Sequence, residues 1–291
     1  SGQYIAYQLN ISRAAVKKVI DQLKMNGCQI ESINHKGHLL KQLPDQWYSG
    51  IVNPIIEQRH IFDYVDVMST VDSTQLKAKQ ALVGNQDSFI ILSDEQTKGR
   101  GRFNRYWRSS KGKGLWMSIV LRPDVPYAMI PKFNLFIALG IRDAIQQFSK
   151  HDVTIKWPND IYIDGKKVCG FLTEMVANYD AIEAIICGIG INMNHDVSDF
   201  DEEIQHSATS IRIHSENNFN RYEFLDVLTQ NIERRYQQFL TVPFEEIREE
   251  YIAATNMWNK PLRFTENDKQ FIGEAIDIDH DGFLMVKDDE G

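Results

Sequence analysis

The sequence predicts an α+β protein, because its hydrophobic pattern changes twice along 291 residues. The first 43 residues read as two short helices and a hairpin, the middle alternates strands with helices, and beyond Lys260 only short strands remain. With 43% hydrophobic, 11% aromatic and 25% charged residues, disordered, collagen-like and low-complexity classes are excluded. No apolar run reaches the ~18 residues of a membrane span. The opening SGQYIAYQLN lacks the basic-then-apolar order of a secretory signal. Cys28, Cys169 and Cys187 are odd in number and far apart. Neither a disulfide framework nor a zinc ribbon is expected, and a reducing cytoplasm fits.

Gly2–Leu9 reads as a short amphipathic helix, joined by Asn10-Ile11 to a second one. Ser12 is a good N-cap, and Val16, Val19, Ile20 and Leu23 follow at helical core spacing, with Arg13, Lys17 and Lys24 opposite. After Gly27, the extended runs Gln29–Ile33 and His38–Leu40 flank Asn34-His35-Lys36-Gly37, a hairpin with a basic tip. Charge obeys the same boundary. Arg13, Lys17, Lys18, Lys24, Lys36 and Lys41 stand against only Asp21 and Glu31, a net +4 on a chain whose total is −8. A basic helix behind a short turn, followed by a wing, is how a winged helix-turn-helix meets a major groove and its phosphates. A solvated face would explain the charge but not the pattern. The domain is expected over residues 1–44, with its first helix missing before residue 1.

Leu43-Pro44-Asp45 ends the hairpin, and Trp47–Arg59 reads as a connecting segment. Ile61–Ser69 is strand-like, and Asp72-Ser73-Thr74 opens a helix to about Leu82. Strands follow at Ser88–Ser93, Leu115–Leu121, Thr154–Trp157, Ile161–Ile163, Val168–Val176 and Ala181–Met193. Helices are expected at Ile130–Phe148, Arg221–Leu240 and Phe244–Ala253. Together these make a mixed α/β domain over 45–256. Pro261–Phe264, Gln270–Ile276 and Phe283–Val286 then suggest a small β-barrel over 257–291. It is expected to be incomplete, since the chain ends at Glu290-Gly291 with an edge still open.

Three segments carry chemistry. Gln96-Thr97-Lys98-Gly99-Arg100-Gly101-Arg102-Phe103-Asn104-Arg105-Tyr106-Trp107 follows a strand and alternates glycines with arginines. Glycine lets backbone approach a ligand, and arginine supplies paired donors to phosphate or carboxylate. The spacing is neither a Walker A loop nor G-x-G-x-x-G, and a flexible basic loop is the plain alternative. Lys156-Trp157-Pro158-Asn159-Asp160 leads through Asp164-Gly165 into Lys166-Lys167-Val168-Cys169-Gly170-Phe171. Only one of two adjacent lysines on a strand can face inward, and periodicity does not choose between them. Cys187-Gly188-Ile189-Gly190-Ile191-Asn192 places two glycines inside a strand, which means either a ligand against the backbone or a tightly packed sheet.

In combination, GRGR with a following Trp, KWPND, KVCGFLTE and GIGIN occur in an order and at spacings that resemble biotin–protein ligases, and VDST resembles that family's serine-threonine segment. With the basic wing in front and a barrel behind, the chain is similar over essentially its whole length to bifunctional ligases that also repress the biotin operon.

The resemblance implies that ATP with Mg²⁺ activates biotin to biotinyl-5′-AMP, and that biotin passes to a lysine of a biotin carboxyl carrier protein. It implies that Ser73, Thr74 and Gln96 bind the ureido head with help from Arg100, and that Trp116 and Ser118 line the tail pocket. Gly99, Arg100, Arg102 and Arg105 would form a closing loop, and Lys167 would stabilise phosphate charge, so that Lys167 and Arg102 carry the catalysis. Trp107 would pack on adenine, with Gly170, Leu172, Gly188, Ile191 and Asn192 beneath the ligand. No protein metal ligand is implied. Two positions depart from the pattern: Gln75 stands where Asn is usual, and Asn104 replaces a glycine, where its tolerance of left-handed backbone is expected to keep the turn. The adenylate would order loops and strengthen a homodimer, with Phe103 at its interface. Ser12, Arg13, Lys17, Lys18 and Lys36 would then meet operator DNA. The alternatives are a biotin-sensing regulator without chemistry, which leaves the triple-arginine loop and Lys167 unexplained, and a lipoate-type ligase, against which the GRGR and KWPND pair argues.

Overall fold

The computed structural model describes residues 1–33, 36–178, 181–215, 220–266 and 269–288. Serine caps open both N-terminal helices. Ser1 Oγ accepts from the Tyr4 amide at the start of α1 (Gly2–Gln8), and Ser12 Oγ accepts from that of Ala15 at the start of α2 (Arg13–Met25). The helices meet over Ala6, Val16 and Ile20. Val19, expected in that core, is 50% exposed, since α1 is too short to cover more than the Val16–Ile20 line. β1 (Gln29–Ile33) pairs antiparallel with β2 (Gly37–Gln42) to make the wing. Of its basic tip, Lys36 is exposed, whereas Asn34 and His35 lie outside the described residues.

The segment read as a connection holds a helix, α3 (Ser49–Ile56), whose Val52 and Ile56 are buried one turn apart. Pro54 inside it hid the helical signal. The wing end is tied to the body at this point: the Trp47 amide donates to the Asp94 carboxylate, and Arg221 bridges Asp94 and the Asp45 carbonyl.

The body is built on a seven-stranded sheet. Its strands are β3 (Tyr64–Met68), β4 (Phe89–Ser93), β5 (Gly114–Leu121), β6 (Val153–Lys156), β7 (Asp160–Ile163), β8 (Lys166–Asn178) and β9 (Ala181–Asn192). They run in the order β3-β4-β5-β9-β8-β7-β6, parallel between β3 and β4 and antiparallel elsewhere. Strand alternation separates two faces. Leu115, Met117 and Ile119 with Ile185, Cys187 and Ile191 join the core beneath α5 (Ile130–Gln146) and α6 (Arg221–Thr241). On the other face, Phe89, Ile91, Val120 and Ile186 pack under α4 (Thr74–Ala81). The two long helices cross closely because Gly140 has no side chain: a Cβ there would lie 3.2 Å from both Arg235 and the Asn231 carbonyl. Arg235 is itself buried and paired with Asp143 and with Glu250 of α7 (Phe244–Ala253).

The last module is an antiparallel sheet of β10 (Pro261–Glu266), β11 (Lys269–Ile278) and β12 (Leu284–Asp288). Among the described residues it is an open three-stranded sheet and not a closed barrel. Ile278 plugs into the main core, and Arg248 of α7 donates to its carbonyl. No helix of the described residues is long and apolar enough to cross a membrane.

Candidate active site

A cavity of about 420 Å³ opens on the α4 face of the sheet. Two groups of residues face it, two positions apart on β9. Around Gly188, the amide and hydroxyl of Thr74 both donate to Gln96 Oε1, at 2.8 and 3.1 Å, and Gln96 Nε2 donates to Ser109 Oγ at 2.8 Å. The amide of Gln75 reaches across the sheet, its Nε2 donating to Glu174 and its Oε1 accepting from Ser118. That oxygen fills the space above Gly188, where a Cβ would lie 2.2 Å from it.

Around Gly190, the indole of Trp107 lies against the sheet. A Cβ on Gly190 would stand 2.5 Å from its Nε1, and one on Gly170 would stand 3.4 Å from its Cζ3. Lys167 Nζ lies 5.3 Å from the indole centroid and 2.7 Å from Asp160 Oδ1. The indole N–H is buried and has no hydrogen-bond partner.

Lys167 faces the cavity because β8 carries a bulge. Ile161 pairs with Cys169 but Tyr162 pairs with Lys167, so Val168 is an extra residue. Val168 and Cys169 are consequently both buried, and Lys167 and Gly170 share a face despite their odd spacing. Lys166 is exposed.

The arginine loop is a narrow turn. The Trp107 amide donates to the Gly99 carbonyl at 2.9 Å and the Gly101 amide to the Arg105 carbonyl at 2.8 Å. The left-handed residue at its tip is Phe103, at φ 56° and 83% exposed, and not Asn104 as expected. Arg102 Nη1 donates to Asn159 Oδ1 at 3.3 Å, joining the loop to the KWPND segment.

Of the residues singled out in the sequence, Ser73, Thr74, Gln96, Arg100, Arg102, Arg105, Trp107, Lys167, Gly170, Leu172, Gly188 and Asn192 line the cavity together, and so does Phe103. Four do not. Ser118 and Trp116 are fully buried beneath it, their polar groups donating to Thr74 and to the Ser110 carbonyl. Ile191 faces the helical core. Gly99 is covered by the Trp107 carbonyl, 2.3 Å from where a Cβ would lie.

Asn159, Asp160 and His195 line the cavity without having been assigned a role. The first two lie in a motif already noted; His195 had no signal beyond following the GIGIN strand. Burial lowers the pKa of His195 to about 4. Its ring stacks on Phe200 and its Nδ1 has no partner. In the N-terminal module, Arg13, Lys17, Lys18 and Lys36 are exposed, whereas the Ser12 hydroxyl is used in its cap.

Residues 67–192 match the Biotin/lipoate A/B protein ligase family, and residues 1–39 match an HTH domain. The Bifunctional ligase/repressor BirA of Bacillus subtilis is 36% identical over 302 residues, covering 100% of this chain and 90% of the relative. That of Bacillus spizizenii is 34% identical over 297 residues with the same coverage. The structure of the biotin protein ligase from Aquifex aeolicus in complex with biotin and ATP superposes with a TM-score of 0.68 at 27% identity, covering 79% of this chain and 94% of that one. With its helix-turn-helix, its ligase body and this identity along its whole length, the chain belongs to the BirA family of bifunctional ligase/repressors.

Proposed function

We propose that the protein joins biotin to ATP as biotinyl-5′-AMP, passes biotin to a lysine of a biotin carboxyl carrier protein, and, with the adenylate bound, represses biotin genes as a homodimer on operator DNA. The observation that carries the catalytic half is the pairing of two sites on one strand. The Thr74–Gln96 group at Gly188 suits the polar ureido head, and Lys167 at Gly190 suits a phosphate. Two strand residues span roughly 7 Å, which sets the two ends of one ligand side by side.

The first step brings two anions together. A biotin carboxylate oxygen attacks the α-phosphorus as the bond to pyrophosphate breaks, so positioning and positive charge supply the catalysis. Lys167 stabilises the phosphoryl oxygens, and Arg100, Arg102 and Arg105 close over them. Mg²⁺ enters with the triphosphate; Asp160 and Asp199 put on the cavity wall the carboxylate oxygens that such an ion accepts. The mixed anhydride hydrolyses readily, and the closed loop keeps water from it until a carrier lysine attacks the acyl carbon and AMP leaves. Ser73, Leu172 and Asn192 complete the walls, with Trp107 against the base.

Three units are assigned: a DNA-binding domain at 1–44, a ligase domain at 45–256, and a small β-domain at 257–291 whose described residues form an open three-stranded sheet. Three free, buried thiols suit a reducing cytoplasm. Phe103 supports the dimer reading, since an exposed aromatic held at positive φ is an outlier for a bulky side chain. Phe103→Arg is expected to stay monomeric with adenylate in analytical ultracentrifugation, and a variant that still dimerises removes Phe103 from the interface. Mass spectrometry of a carrier domain incubated with the protein, biotin and Mg-ATP tests the whole reading. One biotin on one lysine, gained only with ATP, supports it; no gain from folded enzyme overturns it.

A further inference from the structure

We propose a binding site for a divalent transition-metal ion at His151, Asp164 and His214, outside the cavity. Asp164 Oδ2 lies 2.8 Å from His151 Nδ1 and 3.3 Å from His214 Nδ1, and the three ligand atoms all lie within 4.8 Å of one another. A tetrahedral ion with bonds of ~2.0–2.1 Å to nitrogen and oxygen holds its ligand atoms ~3.3 Å apart. The two carboxylate–imidazole distances lie close to that value, so the triad accepts one once the two imidazoles close on each other by up to about 1.5 Å, with a fourth position left for water.

Each ligand is held by its own backbone. Asp164 and Gly165, at φ 49° and 74°, make the two-residue turn between β7 and β8. The His151 carbonyl accepts from Ser149 Oγ at 2.9 Å and from Gln146 Nε2 at 3.1 Å. His214 sits in a 3-10 turn, and its Nε2 is 2.9 Å from Thr209 Oγ1. An outer partner on the far ring nitrogen is what orients a metal-ligating histidine and turns its other nitrogen inward.

Two imidazoles and one carboxylate select ions such as Zn²⁺, Ni²⁺ or Co²⁺; Mg²⁺ prefers oxygen throughout. The site is thus chemically distinct from any Mg²⁺ that travels with a nucleotide. An ion there ties together the approach to β6, the β7–β8 turn and the segment from Ser207 to His214. That segment already grips Lys167, whose amide donates to the Ser207 carbonyl at 2.8 Å and whose carbonyl accepts from the Thr209 amide at 2.9 Å. Occupancy stiffens the hairpin that presents Lys167. This last link rests on the ligase reading; binding itself does not.

The test is isothermal titration of the chelator-treated full chain with ZnCl₂ and, separately, MgCl₂, alongside thermal melts. One equivalent of Zn²⁺ is expected to bind and raise the melting temperature, while Mg²⁺ does neither. Affinity should fall at least ~10-fold in Asp164→Asn and in His151→Ala. His151→Ala alters an exposed side chain and keeps the experiment decisive if Asp164→Asn fails to fold. No Zn²⁺ binding by the wild type, or wild-type affinity in both variants, overturns the proposal.

Discussion

Gly170 and Gly190 stand directly opposite each other on β8 and β9; the indole of Trp107 takes the space of a side chain at Gly190, and the Lys167 amine and the edge of that indole close over Gly170. The pair leaves a flat bed on the sheet, and the aromatic ring lies on it. Gly190→Ala would push a methyl to within 2.5 Å of the indole nitrogen. Overpacking of this kind costs about 1–3 kcal/mol. The ring is expected to lift, giving a red-shifted tryptophan emission and weaker adenylate binding by titration; an unchanged spectrum would show that the bed is not selective.

Lys167→Ala is expected to slow adenylate formation ~10²–10³-fold, the usual loss for one preorganised charge-stabilising donor. Single-turnover rates of pyrophosphate release measure it. The same rate in wild type and variant would remove Lys167 from the chemistry.

Arg102→Gly cuts the link from the loop tip to Asn159. Biotin should still bind, but the adenylate should escape faster. Rapid filtration of preformed adenylate reads the off-rate, and wild-type retention counts against the closing loop.

His195 gives stability a pH dependence of known sign. Burial lowers its folded pKa to about 4 from the ordinary imidazole value of about 6.5. Above 6.5 neither state binds the proton. Below it the unfolded chain does and the folded one does not, so stability falls by roughly 1.4 kcal/mol per pH unit toward pH 4, about 3 kcal/mol in all. Between pH 7.5 and pH 4.5 the urea midpoint should fall further for wild type than for His195→Gln, whatever constant offset the lost ring packing gives the variant. Parallel curves would place the acid response elsewhere.

Lys17 faces solvent on α2. If it meets a phosphate, Lys17→Ala weakens operator binding and lowers the slope of log affinity against log salt by about 1. Fluorescence anisotropy at several salt concentrations gives the slope, and an unaltered value takes Lys17 off the DNA.

Much of the fold was readable from local chemistry. The Ser12 cap, the Asp164-Gly165 turn and the long apolar helix at Ile130 are each written in a few neighbouring residues, and the structure places all three there. α3 was missed because Pro54 looks like a breaker. Val19 was misplaced because helical spacing does not say how wide a partner helix is. The site divided the same way. The Gly-Arg loop and the paired glycines are visible as residues, whereas Trp116 and Ile191 were assigned to the ligand although packing takes one beneath the pocket and the other through the sheet. His195 owes its position to the chain's path after β9, which no short pattern encodes.

The extra residue at Val168 has a consequence for how this protein can change over time. Lys167 shares a face with Gly170 at an odd spacing, which a step of two against one on β7 allows. Side chains at 168 and 169 can be exchanged for others of similar bulk, because they contribute filling. Removing one of the two would straighten the strand and leave Lys167 two positions before Gly170, still opposite Tyr162 and on the same face by plain alternation. At this point in the gene a substitution of similar bulk, or the loss of the extra codon, keeps the lysine on the cavity side, and what the bulge adds is a local bend in the strand that carries it.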